Sequence, residues 1–185
     1  MLWERQALLK ARVVAGDKKL SNKVRKAIDT FVYGQPMDKE SINEISRIRK
    51  RMELELAKET ETKFNIKTGM GGLVDIDFVV QLLQMLHGLE HRKIRQTNTL
   101  QALQSLFDEG LIKQSEFKTL DSGYRFLRQL ENAVRLIQDK ATSEIREGDF
   151  DKAGEIIYGK SGEALLKEYK SITKKVRKIY NSYFS

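Results

Sequence analysis

Residues 71–86 read GGLVDIDFVVQLLQML, and this stretch is the strongest indication of the fold. After the two glycines, most positions from Leu73 to Leu86 are apolar, on whichever side of a helix they fall. A surface helix keeps one polar side, so a helix that is apolar nearly all round is expected to be buried. We predict that this segment is the central helix of a bundle, preceded by a Gly-rich loop and ended by Gly88.

The composition of the chain also favours an all-α fold. Of its 185 residues, 40% are apolar and one is proline, and good helix formers are abundant. This length predicts a single helical domain over residues 1–185. The absence of cysteine excludes disulfides, zinc ribbons and Cys nucleophiles, and fits a cytoplasmic location. No stretch is typical of a signal peptide or a membrane span.

Apolar residues at helical spacing predict about seven or eight helices in all. The expected boundaries are Leu2 to Val14, about Leu20 to Phe31, Asp38 or Ser41 to about Glu59, Leu73 to Leu86, Thr97 or Asn98 to Gly110, Ser115 to about Asp139, about Lys152 to Tyr158, and Gly162 to Phe184. In the third helix the apolar stripe is expected to include Leu56, and the charged residues, Arg49 among them, to form a solvated face. Residues 64–67 fit a strand or an extended segment equally well, and residues 140–151 are expected to form a loop or lid.

Asp75 and Asp77 are spaced like the carboxylate pair with which many nucleotidyl-transfer enzymes hold Mg²⁺. On a strand the two side chains would point the same way, whereas on a helix they lie about 200° apart and cannot share an ion. Because the helix is favoured here, we predict no metal site. Asp75 falls among apolar residues and needs a partner there. It either accepts backbone N–H groups at its own helix end or pairs with an arginine across the bundle.

Residues 124–131 read YRFLRQLE and form a second candidate site. Arg125, Arg128, Glu131 and Arg135 fall within one polar face of the predicted helix. Guanidinium groups present parallel donors to phosphate oxygens, so this face is able to hold a phosphate. A solvated face with ion pairs three residues apart explains the same pattern and is favoured on sequence alone.

Three further features give weaker indications. The glycines at 69, 71 and 72 precede a helix and are able to present N–H groups to an anion, but a turn explains them as well. His87 and His91 are predicted to be surface histidines and not a zinc site. The last helix has seven basic residues against two acidic ones from Lys160 onward, without a docking motif. A solvated face or an acidic protein partner is therefore favoured over nucleic acid.

Four separated motifs resemble the glutamine synthetase adenylyltransferase family, in the helical domain that follows a nucleotidyltransferase core. They are residues 3–12 (WERQALLKAR), residues 64–67 leading to 71–78, residues 98–100, and residues 124–131. Their order makes the resemblance specific, and it extends from Trp3 to about Phe184. The resemblance implies a bifunctional bacterial enzyme with two similar halves. One half attaches AMP from ATP to a tyrosine of glutamine synthetase, and the other removes it by phosphorolysis.

The resemblance also implies cofactors and partners. ATP and Mg²⁺ are expected for the parent enzyme, and neither is expected on this chain. The implied partners are glutamine synthetase, a PII-type nitrogen regulator and the upstream nucleotidyltransferase core; a membrane and nucleic acid are not expected. The motif at Trp3 is more similar to the second, adenylylating half. The family's catalytic carboxylates lie upstream of this motif, so the chain is expected to be an excised domain that is inactive alone.

The motif positions suggest roles for eight residues. Nucleotide or partner binding is expected at Lys67, Arg125, Arg128 and Glu131, and a structural role at Gly71, Gly72, Asp75 and Asp77. Position 77 is Asp where the family usually has Glu. No catalytic residue and no metal ligand is expected. Two alternatives stay open: an interaction module that docks glutamine synthetase or a PII-type regulator without touching nucleotide, and the helical domain of a PII uridylyltransferase.

Overall fold

The computed structural model describes residues 2–157, 159 and 161–184, which form eight α-helices and one two-stranded sheet. The helices are α1 (Leu2–Leu8), α2 (Lys18–Tyr33), α3 (Lys39–Met52), α4 (Leu73–His87), α5 (Thr99–Asp108), α6 (Gln114–Gln138), α7 (Phe150–Ile157) and α8 (Gly162–Phe184). Strands β1 (Lys63–Asn65) and β2 (Glu144–Arg146) pair antiparallel, with Phe64 opposite Ile145. The predicted all-α fold class is confirmed. Within the described ranges, no helix has both the length and the apolar character needed to cross a membrane.

The described residues group into two compact units. The first comprises the described residues of Met1–Arg47 and of Val79–Phe117, and the second those of Ile48–Phe78 and Lys118–Ser185. Val32, Val79, Leu103 and Leu106 belong to the core of the first unit. Ile66, Leu127, Ile145 and Val176 belong to the core of the second. A single domain over residues 1–185 stays a prediction.

Helix α4 has the buried character that its sequence predicts. Every residue in it is buried except Asp77, Leu86 and His87. The Gly-rich loop precedes it, and Gly88 ends it by donating its backbone N–H to the carbonyl of Gln84. This helix and its loop place Asp75, the residue on which the candidate site is built.

The first two helices differ from their predicted bounds. Helix α1 ends at Leu8, six residues before Val14, and Val14 is 83% exposed. The apolar residues at its predicted end gain no burial, and β-branched valines lose side-chain freedom in a helix. Helix α2 begins two residues earlier than expected because the carboxylate of Asp17 accepts the backbone N–H of Leu20 and caps the helix.

Helix α3 begins where Asp38 predicts, since Asp38 accepts the backbone N–H of Ser41. The expected α-helix to Glu59 is wrong: the α-helix stops at Met52, and residues Glu53–Ala57 form a π-helical turn. A π turn holds more residues per turn than an α turn, so it shifts the side chains that follow to another face. Ala57 is therefore buried, whereas Leu56, expected in the apolar stripe, is 56% exposed.

The segment after α6 is more ordered than its polar sequence indicates. Residues 140–151, expected to be a loop or lid, contain β2 and the start of α7. Strand β2 forms because Ile145 is buried and its backbone pairs with β1, which settles residues 64–67 as partly strand. The expected end of α7 at Tyr158 lies outside the described residues. The predicted bounds of α8 are confirmed.

Candidate functional site

Asp75 lies at the centre of an ion-pair cluster in the second unit, which we call the Asp75 cluster: Arg49, Glu53, Asp75 and Arg177. The Arg49 Nε donates to one carboxylate oxygen of Asp75. The other oxygen accepts from the Arg177 Nη1 at 3.2 Å and from the backbone N–H of Gly71 at 2.8 Å. Glu53 completes the cluster by accepting from Arg177 at 2.7 Å. Two guanidinium groups thus meet two carboxylates, and their formal charges cancel.

The same cluster fixes the Gly-rich loop. Arg49 donates through Nη2 to the carbonyl of Gly69 at 2.8 Å. Gly71 has a positive φ of 73°, and a Cβ at this position would lie 1.9 Å from the carbonyl oxygen of Thr173, so a side chain does not fit there. The structural role of Gly71 stays a prediction, and the close approach to Thr173 gives the physical reason for it.

The backbone N–H groups of the loop are engaged within the protein. Gly71 donates to Asp75, Gly72 to the carbonyl of Gly69, and Leu73 to the carbonyl of Ile66. Anion binding by these groups, one of the two interpretations that the sequence left open, would require breaking these bonds. Asp75 already supplies the negative charge that a helix N-terminus favours. The turn interpretation is therefore the better one.

Both partners that the sequence allowed for Asp75 are present. It accepts a backbone N–H from the loop before its own helix, and it pairs with arginines from α3 and α8. Burial lowers the pKa of Arg177, but the charges of Asp75 and Glu53 outweigh this effect and raise the pKa above its usual value. Arg177 is therefore a fixed cation of the cluster.

Arg49 is the functional candidate that sequence reasoning missed. It was expected on a solvated face, but it is completely buried. A signal was available: Arg49 follows the buried Ile45 by four residues and precedes Met52 by three, so it occupies a position of the apolar stripe. An arginine in such a position needs a buried acid, and Asp75 is the buried acid that it meets.

The geometry of Asp75 and Asp77 does not fit a shared metal ion. Both residues lie in α4, where positions two apart diverge, and Asp75 is fully buried whereas Asp77 is partly exposed. Both oxygens of Asp75 are already hydrogen-bonded by cations or an amide. In the part of the chain that the structure describes, no three His, Asp or Glu side chains are grouped to hold a metal. His91 instead lies 2.9 Å from a Glu109 carboxylate oxygen.

Glu131 organises a second cluster, but not as a member of a solvated face. It is completely buried, which corrects the expectation of a polar face. Its two oxygens accept from Arg128 at 2.9 Å, Arg135 at 2.9 Å and the Ser143 hydroxyl at 2.7 Å. Because Ser143 precedes β2, Glu131 connects α6 to the start of that strand.

The remaining predicted binding residues lie outside this cluster. Arg125 is exposed and makes two hydrogen bonds, of 3.0 and 3.1 Å, with Asp121. This pairing raises the pKa of Arg125 above its ordinary value. The structure thus brings Arg128, Glu131 and Arg135 together, whereas Arg125 pairs with Asp121. Lys67 is exposed at the Gly-rich loop, and its backbone carbonyl accepts from Val74.

These features define an all-α fold in which two buried carboxylates, Asp75 and Glu131, pair with arginines of the same unit. The family model described as GlnD PII-uridylyltransferase matches residues 41–184, which is more than half of the chain. The chain therefore belongs to this family, whose model corresponds to the helical domain related to that of glutamine synthetase adenylyltransferases.

Individual relatives agree with the resemblance that the four motifs indicate. The chain is 34% identical over 188 residues to a bifunctional glutamine synthetase adenylyltransferase/adenylyl-removing enzyme of Streptomyces coelicolor, covering 98% of this chain and 19% of that protein. Proteins of the same name from Hahella chejuensis and Corynebacterium efficiens are 36% and 39% identical. Those matches cover 77% and 76% of this chain, and 15% and 13% of the relatives. The predicted resemblance is confirmed, and the chain spans about a fifth or less of the length of these relatives.

Proposed function

We propose that this chain acts as the helical domain of a glutamine synthetase adenylyltransferase, a nucleotidyltransferase that moves AMP from ATP to a tyrosine of glutamine synthetase. The observation that carries the proposal is the shared name of relatives that match most of this chain. In the two-halved parent enzyme, the other half would remove the AMP. The activity would regulate nitrogen assimilation in the cytoplasm.

In this proposal the chain supplies no catalytic carboxylate. Asp75 is bound by two guanidinium groups and a backbone amide, and it is two residues from Asp77 on a helix. ATP and Mg²⁺ would be used by a separate nucleotidyltransferase core of the parent, and the isolated chain would be inactive. The Asp75 cluster would keep the Gly-rich loop, the last turn of α3 and α8 in fixed positions within the second unit.

Three exposed cations remain the proposed contacts to a phosphate or to the acidic surface of a partner. Lys67 is exposed, and Arg125 and Arg128 each keep part of the guanidinium in solvent. The buried Glu131 holds Arg128 and would act as a positioning residue. A guanidinium that is already paired with a carboxylate is still able to present its outer donors to a second anion.

The test is AMP transfer to glutamine synthetase by the parent enzyme carrying Arg125→Glu together with Arg128→Gln. Glutamine replaces Arg128 because a glutamate there would repel the buried Glu131. We expect at least a tenfold loss of transfer with unchanged helicity by circular dichroism. A control with Arg47→Glu and Arg51→Gln makes the same charge change at exposed sites of α3. Equal activity of the two double variants would remove Arg125 and Arg128 from the site.

A second candidate function is an interaction module that docks glutamine synthetase or a PII-type regulator without contacting nucleotide. The match to the PII-uridylyltransferase family favours a PII-type protein as one docking partner. Calorimetric titration of the purified chain with Mg-ATP, glutamine synthetase and a PII-type protein separates these possibilities. Binding heat with Mg-ATP supports direct contact between this chain and the nucleotide. Binding heat with a protein alone supports the docking function.

A further inference from the structure

A groove of about 780 Å³ lies beside α8 within the second unit, and we call it the α8 groove. Among the residues that line it, we call Phe64, Met70 and Tyr169 the floor and Lys170, Lys174 and Lys178 the rim. Lys175 adds a further cation, whereas Arg177 is paired with Glu53 and Asp75. Glu59 is the one acidic residue among the described residues that line the groove. The groove therefore combines an apolar floor with a strongly positive rim.

The rim lysines form a regular row. They are spaced four residues apart on α8, so they lie on one face with successive residues about 6 Å apart along the helix. Like charges at this spacing repel each other, which costs a few tenths of a kcal/mol per pair. Within the ranges that the structure describes, none of the three lysines has a carboxylate within ion-pair distance. Among the described residues of the second unit, no carboxylate offsets this repulsion.

The one acid that lines the groove is already engaged. The Glu59 carboxylate accepts the backbone N–H of Asn65 at 2.9 Å and that of Met70 at 3.1 Å. It holds the loop that follows β1 and is not positioned to neutralise the row. The charge of the rim is therefore available to a partner.

The floor of the groove favours an apolar side chain over a nucleic acid base. Tyr169 is buried, and burial raises its pKa above the ordinary value. The Lys170 ammonium lies 5.4 Å from the centroid of the Phe64 ring and covers that ring. Bases need exposed aromatic faces for stacking. Met70, by contrast, is 53% exposed, and methionine adapts readily to an apolar partner.

We propose that the α8 groove docks an acidic helical segment of a partner polypeptide. Carboxylates at positions i, i+4 and i+8 of that segment would pair with Lys170, Lys174 and Lys178, because the two rows share the spacing of one helical turn. A large apolar side chain between them would contact Met70 on the floor. This inference concerns a binding surface and holds whether or not the chain takes part in AMP transfer.

The experiment measures binding of the purified chain to a fluorescein-labelled 15-residue helical peptide by fluorescence anisotropy in 50 mM salt. The peptide carries Glu at i, i+4 and i+8 and Leu between them. We expect at least tenfold weaker binding with Lys170→Glu, Lys174→Glu and Lys178→Glu combined. The control combines Lys50→Glu, Lys140→Glu and Lys152→Glu, three exposed lysines of the same unit, and we expect less than a threefold change.

Two further arms test the apolar part of the proposal. Met70→Ser in the chain, and Leu→Ala in the peptide, should each weaken binding about fivefold. Circular dichroism checks that every variant is folded. The proposal is overturned by equal losses in the two triple variants, by no effect of either apolar change, by no measurable peptide binding, or by displacement of the peptide by duplex DNA or Mg-ATP at lower concentration.

Discussion

Asp75 is a buried acid that pairs with two arginines, and its energetic role follows from this environment. Removing a charge from water costs several kcal/mol, and the cost is recovered only when partners are close and well oriented. Arg49 is completely buried and has Asp75 as its closest acid, so it depends on that charge. The stability of the second unit is therefore expected to depend on residue 75.

Replacing Asp75 with Asn should lower the free energy of unfolding by about 3–5 kcal/mol, because Arg49 is left as a buried charge without its main counter-ion. Glu55→Gln is the matched control. It breaks an ion pair with Arg51 in which both side chains are more than half exposed, and it should cost less than about 1 kcal/mol. Urea unfolding followed by circular dichroism compares the two. Similar losses for both variants would contradict a buried cluster.

A second prediction for a single residue concerns the lack of space for a side chain at Gly71. Gly71→Ala should destabilise the fold by more than about 3 kcal/mol, because the new Cβ would clash with the Thr173 carbonyl in addition to the unfavourable positive φ. Gly110 has nearly the same φ, 71°, but open space around its Cβ position. Gly110→Ala should therefore cost only about 1–2 kcal/mol. Thermal unfolding measures both, and equal shifts would show that the close approach is absent.

Single elements show where sequence periodicity predicts structure and where it fails. Helix α4 was predictable because a long apolar run has few alternatives to a buried helix. The end of α3 was not predictable. The spacing of apolar residues does not reveal a π turn, and only the folded turn directs the following side chains to another face of the helix. Strand β2 was hidden by its polar neighbours, since three residues are too short for an alternating pattern. Arg49 was missed although it occupies a position of the apolar stripe, because a charged residue was assigned to the solvated face by its charge alone.

The π turn predicts a large loss of stability at one position and a small change at its neighbour. Ala57→Leu should destabilise by about 1–3 kcal/mol, because Ala57 is buried and the larger side chain overpacks its site. Leu56→Gln should change stability by less than about 0.5 kcal/mol, because Leu56 is largely exposed. An uninterrupted α-helix would place Leu56 in the apolar stripe, so a large loss at Leu56 would contradict the π turn. The urea midpoints of the two variants measure both changes in stability.

At the scale of the whole molecule, buried tyrosines predict loss of stability at alkaline pH. Burial raises the pKa of Tyr33 to about 12, and the charge of Asp29 adds to this effect. In the unfolded chain a tyrosine loses its proton near pH 10. The unfolded state therefore releases protons first, and stability falls as the pH rises from about 10 to about 12.

Tyr33→Phe combined with Tyr169→Phe should remove part of this alkaline loss, because burial also raises the pKa of Tyr169. The measurement is the urea midpoint at pH 9, 10 and 11 for the original chain and the double variant. The difference between the two pH profiles reports the contribution of the tyrosines. The lysines titrate in the same pH range, but they contribute equally to both chains. Parallel pH profiles would mean that the tyrosines are not buried as described.

We propose that the chain supports AMP transfer structurally and contributes no catalytic carboxylate pair. The direct test incubates the purified chain with Mg-ATP and glutamine synthetase and follows AMP incorporation, with the parent enzyme as positive control. We predict no incorporation above a blank without protein, with or without Asp75→Asn. Steady incorporation by the chain alone would contradict this proposal.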